Sequence, residues 1–308
     1  MKFDDLDSRQ KQVVDAVLKS DGKTLVLGGP GSGKTTTALW TARTYLESSD
    51  NNPARVLFLT FSRSAVSQIM SRSPGGVSEF PDQIEIVTFH GLAYQLLREF
   101  GRYSGHGTTP LSIQSETRAK LLGHDESKLR YKDLIPGVLE ILEGSERIKN
   151  LLTSRWGLVI CDEVQDTNTE QLRLLELLAS RKLLLLGDGN QMIYTFIPGV
   201  SPERFQQIRA WADTEIELLP TSHRDPSGAI PALADAIRRR RFDDEAVLDA
   251  VDSGRLTIHF DSDVDDCAAR IGELIWQQLF HYQRPLCRAR QRRLPFRHQH
   301  CICLSSGW

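Results

Sequence analysis

Residues Gly28 to Thr35 read Gly-Gly-Pro-Gly-Ser-Gly-Lys-Thr, a glycine-rich turn closed by a lysine and a hydroxyl residue. Upstream, Thr24-Leu25-Val26-Leu27 is a short apolar run bounded by Gly22 and Gly28, the pattern of a strand buried on both faces. Downstream, Thr35 to Leu46 has helical character. A strand, a glycine loop and a helix in this order form the context of a phosphate-binding loop. The glycines let backbone N–H groups turn inward around a polyphosphate, and the helix N-terminus adds positive potential. Lys34 is expected to reach the outer phosphates and Thr35 to ligate Mg²⁺. Gly28, Gly29, Pro30, Gly31, Ser32 and Gly33, with Thr36 in the first helical turn, are expected to complete the cradle, and ATP is the expected nucleotide. The plain alternative is a glycine turn that merely precedes a helix.

Four further apolar runs follow, and each ends in residues that can do chemistry. Val56 to Thr60 runs into Phe61-Ser62-Arg63, and Ile84 to Val87 into Thr88-Phe89-His90-Gly91. Leu158 to Cys161 runs into Asp162-Glu163-Val164-Gln165-Asp166-Thr167, and Leu183 to Leu186 into Gly187-Asp188-Gly189-Asn190-Gln191. The carboxyl edge of an open α/β sheet is where ligands bind. Adjacent acids after an apolar strand are the expected partners of a phosphate loop. Asp162 would hold Mg²⁺, directly or through water, and Glu163 would orient and deprotonate the attacking water. Gln191 is a candidate sensor of the terminal phosphate, and Arg224 is either an arginine finger in cis or a surface residue. Gln10 lies in the first turn of an N-terminal helix capped by Asp7 or Ser8, where its amide can read an adenine edge or face solvent. Phe61, Phe89, Tyr194 and Phe196 are either core residues or rings on which bases stack.

Composition adds little beyond exclusion. The chain has 308 residues, 40% hydrophobic and 25% charged, long enough for one large or two modest domains. No run approaches the ~18 apolar residues of a membrane span, so no membrane partner and a cytoplasmic location are expected. The five cysteines lack the spacing of a disulfide framework and are expected as thiols. A net charge of −2 neither favours nor excludes nucleic acid, because a basic groove can hide in a neutral total.

Taken in order, these blocks resemble the superfamily 1 DNA helicases of the UvrD, Rep and PcrA type, over roughly Leu6 to Ile237. LDSRQ is similar to the family's Q motif, GGPGSGKT to motif I, LTFSRSA to motif Ia and TFHGLA to motif Ib. DEVQDTN, GDGNQMIYTF and LPTSHRD are similar to motifs II, III and IV. The resemblance implies an α/β fold with a RecA-like phosphate-loop sheet, domain 1A, over residues 1–100 and 157–245, and a helical 1B insertion over 101–156. It implies that Gln10 reads adenine, that Lys34 and Thr35 hold phosphate and Mg²⁺, that Asp162 and Glu163 are the metal and base acids, and that Gln191 and Arg224 contact the γ-phosphate. His223 stands where the family has a tyrosine that stacks on adenine, and Ile197 where it has an arginine. A single-stranded DNA track at Thr60, Phe61, Thr88, Phe89, His90, Tyr194 and Phe196 is implied as well.

Residues 246–279 begin like the family's second RecA-like domain. Beyond Glu273 no acidic residue occurs, and Arg284, Arg288, Arg290, Arg292, Arg293 and Arg297 crowd with Cys287, Cys301 and Cys303. This 280–308 stretch is expected to be a disordered basic tail, read as a reading-frame change or truncation ahead of motifs V and VI. A basic nucleic-acid arm and a metal knuckle at His298, His300, Cys301 and Cys303 are the rivals. The expected function is the ATP-binding core of a 3′ to 5′ DNA helicase or translocase in repair or recombination, its repair-protein partner unspecified. The alternative is a non-motor module that binds ATP and single-stranded DNA. A phosphate-loop kinase or GTPase has no use for DEVQDTN or the two Thr-Phe pairs.

Overall fold

The computed structural model describes residues 3–48, 55–72, 82–103, 112–114, 121, 123, 128–179, 181–194, 196–219, 225, 228–239, 245–253, 257–260 and 302–305. The chain divides between Pro220 and Thr221 into two compact units. The first is built on a six-stranded parallel sheet: β1 (Gly22–Leu27), β2 (Val56–Thr60), β3 (Ile84–Thr88), then β6 (Leu158–Cys161), β7 (Lys182–Gly187) and β8 (Thr214–Glu217), in the spatial order β3-β2-β6-β7-β1-β8. Between β3 and β6, Ile113–Gln114 (β4) and Leu129–Arg130 (β5) form a separate parallel ladder.

The apolar runs are continuous because both faces of the sheet are covered. Side chains alternate across a strand, so the four leucines of β7 divide. Leu183 and Leu185 enter one core with Leu57, Leu59, Val159 and Cys161. Leu184 and Leu186 enter the other with Val26, Phe58, Leu158, Ile160 and Ile216. The second core is closed by α1 (Ser8–Lys19), α2 (Lys34–Glu47) and α3 (Arg63–Arg72), through Val13, Val17, Ala38, Leu39 and Ile69. The first is closed by α4 (Phe89–Phe100), α5 (Leu134–Gly144), α6 (Glu146–Arg155), α7 (Thr169–Leu178) and α8 (Pro202–Trp211).

Part of the segment expected as 1B joins this packing. Leu134, Ile135, Val138, Ile141, Leu142, Leu152 and Trp156 all belong to the first sheet core. Residues 134–156 are therefore part of the main body: α5 and α6 carry apolar faces that Phe89, Leu92, Leu96 and Leu97 of α4 require for burial. Packing also crosses the boundary expected after residue 245. In the second unit, α9 (Ala229–Arg239) and α10 (Glu245–Asp252) pair through Ala229, Leu233, Ala236, Val247 and Ala250. The tail departs from the expected disorder at one place: Ile302–Ser305 (β10) pairs antiparallel with Thr257–Phe260 (β9). Ile-Cys-Leu is a short run with β propensity, long enough to add one edge ladder. The remainder of 280–308 lies outside the described residues.

No helix among the described residues is long and apolar enough to cross a membrane. Strand order is what builds the site. β1 lies beside β7, and β7 beside β6, so the loops after these three strands leave one edge of the sheet together.

Candidate nucleotide site and aromatic row

The loop after β1 has the geometry its glycines predict. Gly31 and Gly33 adopt φ of 79° and 88°, left-handed conformations that side chains resist, and Gly33 is the N-cap of α2. A Cβ on Gly28 would strike the Ser32 hydroxyl and stand 3.3 Å from Leu218 Cβ. The Lys34 ammonium bends back over the loop, donating to the carbonyls of Gly28 (2.6 Å) and Gly29 (3.4 Å). Ser32 Oγ is buried without a hydrogen-bond partner, an unmet demand inside the cradle. A helix N-terminus, a lysine ammonium and an unsatisfied hydroxyl directed at one glycine loop fit a polyphosphate.

Across the edge, Thr35 Oγ1 donates to Asp162 Oδ2 at 3.3 Å. A hydroxyl and a carboxylate so placed are the few protein oxygens Mg²⁺ takes when phosphates and water supply the rest. Burial, and then the charge of Glu163, push Asp162 up to about 6, while Lys34 pulls it down. A cation bound at its oxygens would hold it ionised.

Glu163 is the one non-glycine residue with positive φ among the described residues, at φ 54° and ψ 45°. Such a conformation persists only where surroundings fix it. Here its N–H donates to Asp162 Oδ1 (3.1 Å), its carbonyl accepts from the Asp166 N–H (3.0 Å), and its Oε2 accepts from Gln165 Nε2 (2.8 Å). Gln191 donates from Nε2 to Asp188 Oδ2 at 2.7 Å. Asp166 is buried, its Oδ1 without a hydrogen-bond partner, and burial and then Glu163 push its carboxyl from 3.8 up to about 6. The folded chain thus binds more protons at this site than the unfolded chain between those values, so its contribution to stability falls as pH rises through that window. Asp166→Asn is therefore expected to raise the melting temperature at pH 8 and to lose that advantage by pH 4; equal melting at both values would contradict this.

A row of rings lies on the same edge. Phe61 stacks on Tyr194 with centroids 5.9 Å apart and planes 12° from parallel. Phe61 also meets Phe89 edge-on at 6.0 Å, and Tyr194 meets Phe196 edge-on at 5.9 Å. Phe196 is 78% exposed. His90 stacks on Tyr131 at 4.1 Å, and burial lowers its pKa, so the imidazole is an uncharged ring at neutral pH.

Not every expected contact is placed on the surface. Phe89 is 1% exposed, packed in the first core, and Thr60 is buried at the end of β2. Both lie in the core because a central strand and the first turn of α4 face the helical layer there. Thr88 caps α4, its Oγ1 accepting from the Gly91 N–H at 3.0 Å. Gln10 is buried, its Oε1 taken by the Asp7 N–H (3.1 Å) in a capping box and its Nε2 directed at the Ser32 carbonyl (3.4 Å). Asp7 is the N-cap. His223 and Arg224 lie outside the described residues. Gln165 lies in DEVQDTN and Asp188 in GDGNQMIYTF, but the resemblance assigns neither a role, and Tyr131 lies in no motif. The signal for Gln165 was its place in DEVQDTN, two residues after the acids.

Fold and site together define a phosphate-loop nucleotide-binding domain of α/β type. The chain belongs to the AAA domain family, whose model matches residues 10–197. It is similar to the ATP-dependent DNA helicase PcrA of Staphylococcus aureus, 23% identical over 241 residues, covering 58% of this chain and 33% of that protein. It is also similar to a probable DNA helicase II homolog of Mycoplasma pneumoniae, 24% identical over 268 residues, covering 65% of this chain and 38% of that one. Among solved structures, the Pif1 helicase from Candida albicans aligns with a TM-score of 0.45 at 16% identity, over 81% of this chain and 48% of that one. The resemblance to the ATP-binding part of superfamily 1 helicases agrees with the family match and with these two helicase relatives. The chain spans 33% and 38% of the two curated relatives' lengths.

Proposed function

We propose that the chain is the ATP- and Mg²⁺-binding core of a DNA helicase or translocase, using nucleotide to act on single-stranded DNA. The observation that carries this reading is the convergence, on one sheet edge, of the phosphate cradle, the Asp162–Glu163 pair and a row of rings. Lys34 and the loop amides would bind the outer phosphates, and Thr35 and Asp162 the cation. Held at Thr35 and Asp162, the cation would supply positive charge against that developing on the phosphates. Glu163 would take the proton of the attacking water. Arg224 and His223 are assigned to the γ-phosphate and the base by resemblance, as are 3′ to 5′ polarity and a role in repair or recombination.

On the rings, DNA would be held by stacking, which tolerates any base and so suits movement along a strand. Phe61, Tyr194, Phe196 and His90 are the residues assigned to it, with Thr88 beside them. Phe61→Ala and Phe196→Ala are each expected to weaken binding of an oligothymidine by ~1 kcal/mol or more, the range for one lost base stack. Unchanged affinity in both variants would return the rings to a packing role. The reading as a whole is tested by ATP hydrolysis with and without single-stranded DNA. Turnover stimulated by DNA supports a motor core, whereas binding of both ligands without turnover supports a non-motor module.

A further inference from the structure

The acid after β6 and the polar loop after β7 are joined by one buried side chain. Gln165 is 1% exposed. Its Nε2 donates to Glu163 Oε2 at 2.8 Å, and its Oε1 accepts from the Asp188 N–H at 3.1 Å. Beyond that amide the chain of contacts continues: Asp188 Oδ2 accepts from Gln191 Nε2 at 2.7 Å, and Asp188 Oδ1 from the Asn190 N–H at 2.9 Å. The orientation of the Gln165 amide is forced by its neighbours. A carboxylate can only accept and a backbone N–H can only donate, so a side chain bridging them must carry one donor and one acceptor a short distance apart. Glutamate lacks the donor, and an apolar residue of similar length lacks both.

The surroundings are shaped for this bridge. A Cβ on Gly187 would stand 3.2 Å from Gln165 Oε1, 3.1 Å from Val164 Cγ1 and 3.2 Å from Phe205 Cε2, so a side chain at the end of β7 would press on the amide and on both neighbours. The other end of the bridge holds a residue in a left-handed conformation, whose carboxylate accepts from the Gln165 amide. One amide therefore sets the direction of Glu163 and, through Asp188, the place of Gln191.

We propose that Gln165 is a positioning residue, which registers the attacking-water side of the nucleotide site, at Glu163, with the terminal-phosphate side, at Gln191. This inference rests on the nucleotide reading given above. Both ends of the Gln165 amide are taken by protein groups, so its assigned role is positioning rather than holding nucleotide or cation. Its effect is confined to how well the two flanking groups match the in-line geometry of phosphoryl transfer, which differs from the geometry of bound ADP.

The test compares binding of Mg-ADP alone with Mg-ADP plus aluminium fluoride, a mimic of the transferring phosphoryl group, by calorimetry on the whole chain. The expected result is that the unaltered chain prefers the fluoroaluminate complex and that Gln165→Ala keeps its ADP affinity within twofold while losing at least tenfold of that preference. Gln165→Glu, which can still accept from the Asp188 N–H but repels Glu163, is expected to lose as much. A Gln165→Ala chain that keeps the full preference overturns the proposal. So does one that loses ADP affinity and melting temperature together, since that is the behaviour of a core residue alone. An unaltered chain that binds ADP yet shows no preference also overturns it. Failure of the unaltered chain to bind ADP at all would instead sink the nucleotide reading.

Discussion

Replacing Lys34 with alanine is expected to lower Mg-ATP affinity by about 30-fold or more, the effect of removing a charge-assisted contact of ~2 kcal/mol or above. The ammonium sits at the start of α2 within reach of the Gly28 and Gly29 carbonyls, so its charge lies over the concave side of the loop. Outer phosphates brought there would meet a full positive charge in a partly buried place, where screening by water is weakest. Lys34 is buried at the helix start but lies outside the apolar core, to which α2 contributes Ala38, Leu39, Ala42 and Leu46. Melting temperature in the absence of nucleotide should therefore stay close to that of the parent chain. Equilibrium titration with a fluorescent ATP analogue checks the affinity, and unaltered binding in a folded Lys34→Ala chain would remove the phosphate-loop assignment.

Glu163→Gln is expected to act on the other half of the reaction. Loss of a general base costs on the order of 10²- to 10⁴-fold in rate. The isosteric amide retains an acceptor for Gln165 Nε2, and nothing about the phosphate cradle changes. Nucleotide binding should thus be retained while single-turnover hydrolysis, measured with single-stranded DNA present, falls by at least 100-fold. A fall of less than threefold would move the base elsewhere. The pair of variants separates binding from chemistry: Lys34 acts on affinity for the ground state and Glu163 on the step after it.

Much of this was legible from local signals. The phosphate loop needs glycines where φ is positive, a lysine at the following helix start and an apolar strand before it, and all three are contiguous in sequence. The strands were legible because a parallel sheet covered on both faces makes each one an uninterrupted apolar run, such as Leu183 to Leu186. The fate of single aromatic residues was not. Phe61 and Phe89 occupy equivalent places after neighbouring strands, yet Phe61 is half-buried and stacks on Tyr194 whereas Phe89 is fully buried in the first core. The difference arises from helices 45 or more residues further along the chain, which no local pattern encodes. The core that residues 134–156 join was not legible for the same reason: an amphipathic helix shows that it has a face to bury, not which body will bury it.

The amino-acid sequence by itself determined the phosphate cradle, the acid pair and the strands that carry them, because each is fixed by backbone conformation and side-chain type within about ten residues. Tertiary structure alone decided which rings face outward, that residues 134–156 belong to the sheet core, and that Gln165 spans Glu163 and Asp188. These depend on strand order: β6 and β7 are neighbours in the sheet. A hydrogen bond between the loops that follow them is a consequence of that adjacency, which is settled by burial of both sheet faces rather than by any motif.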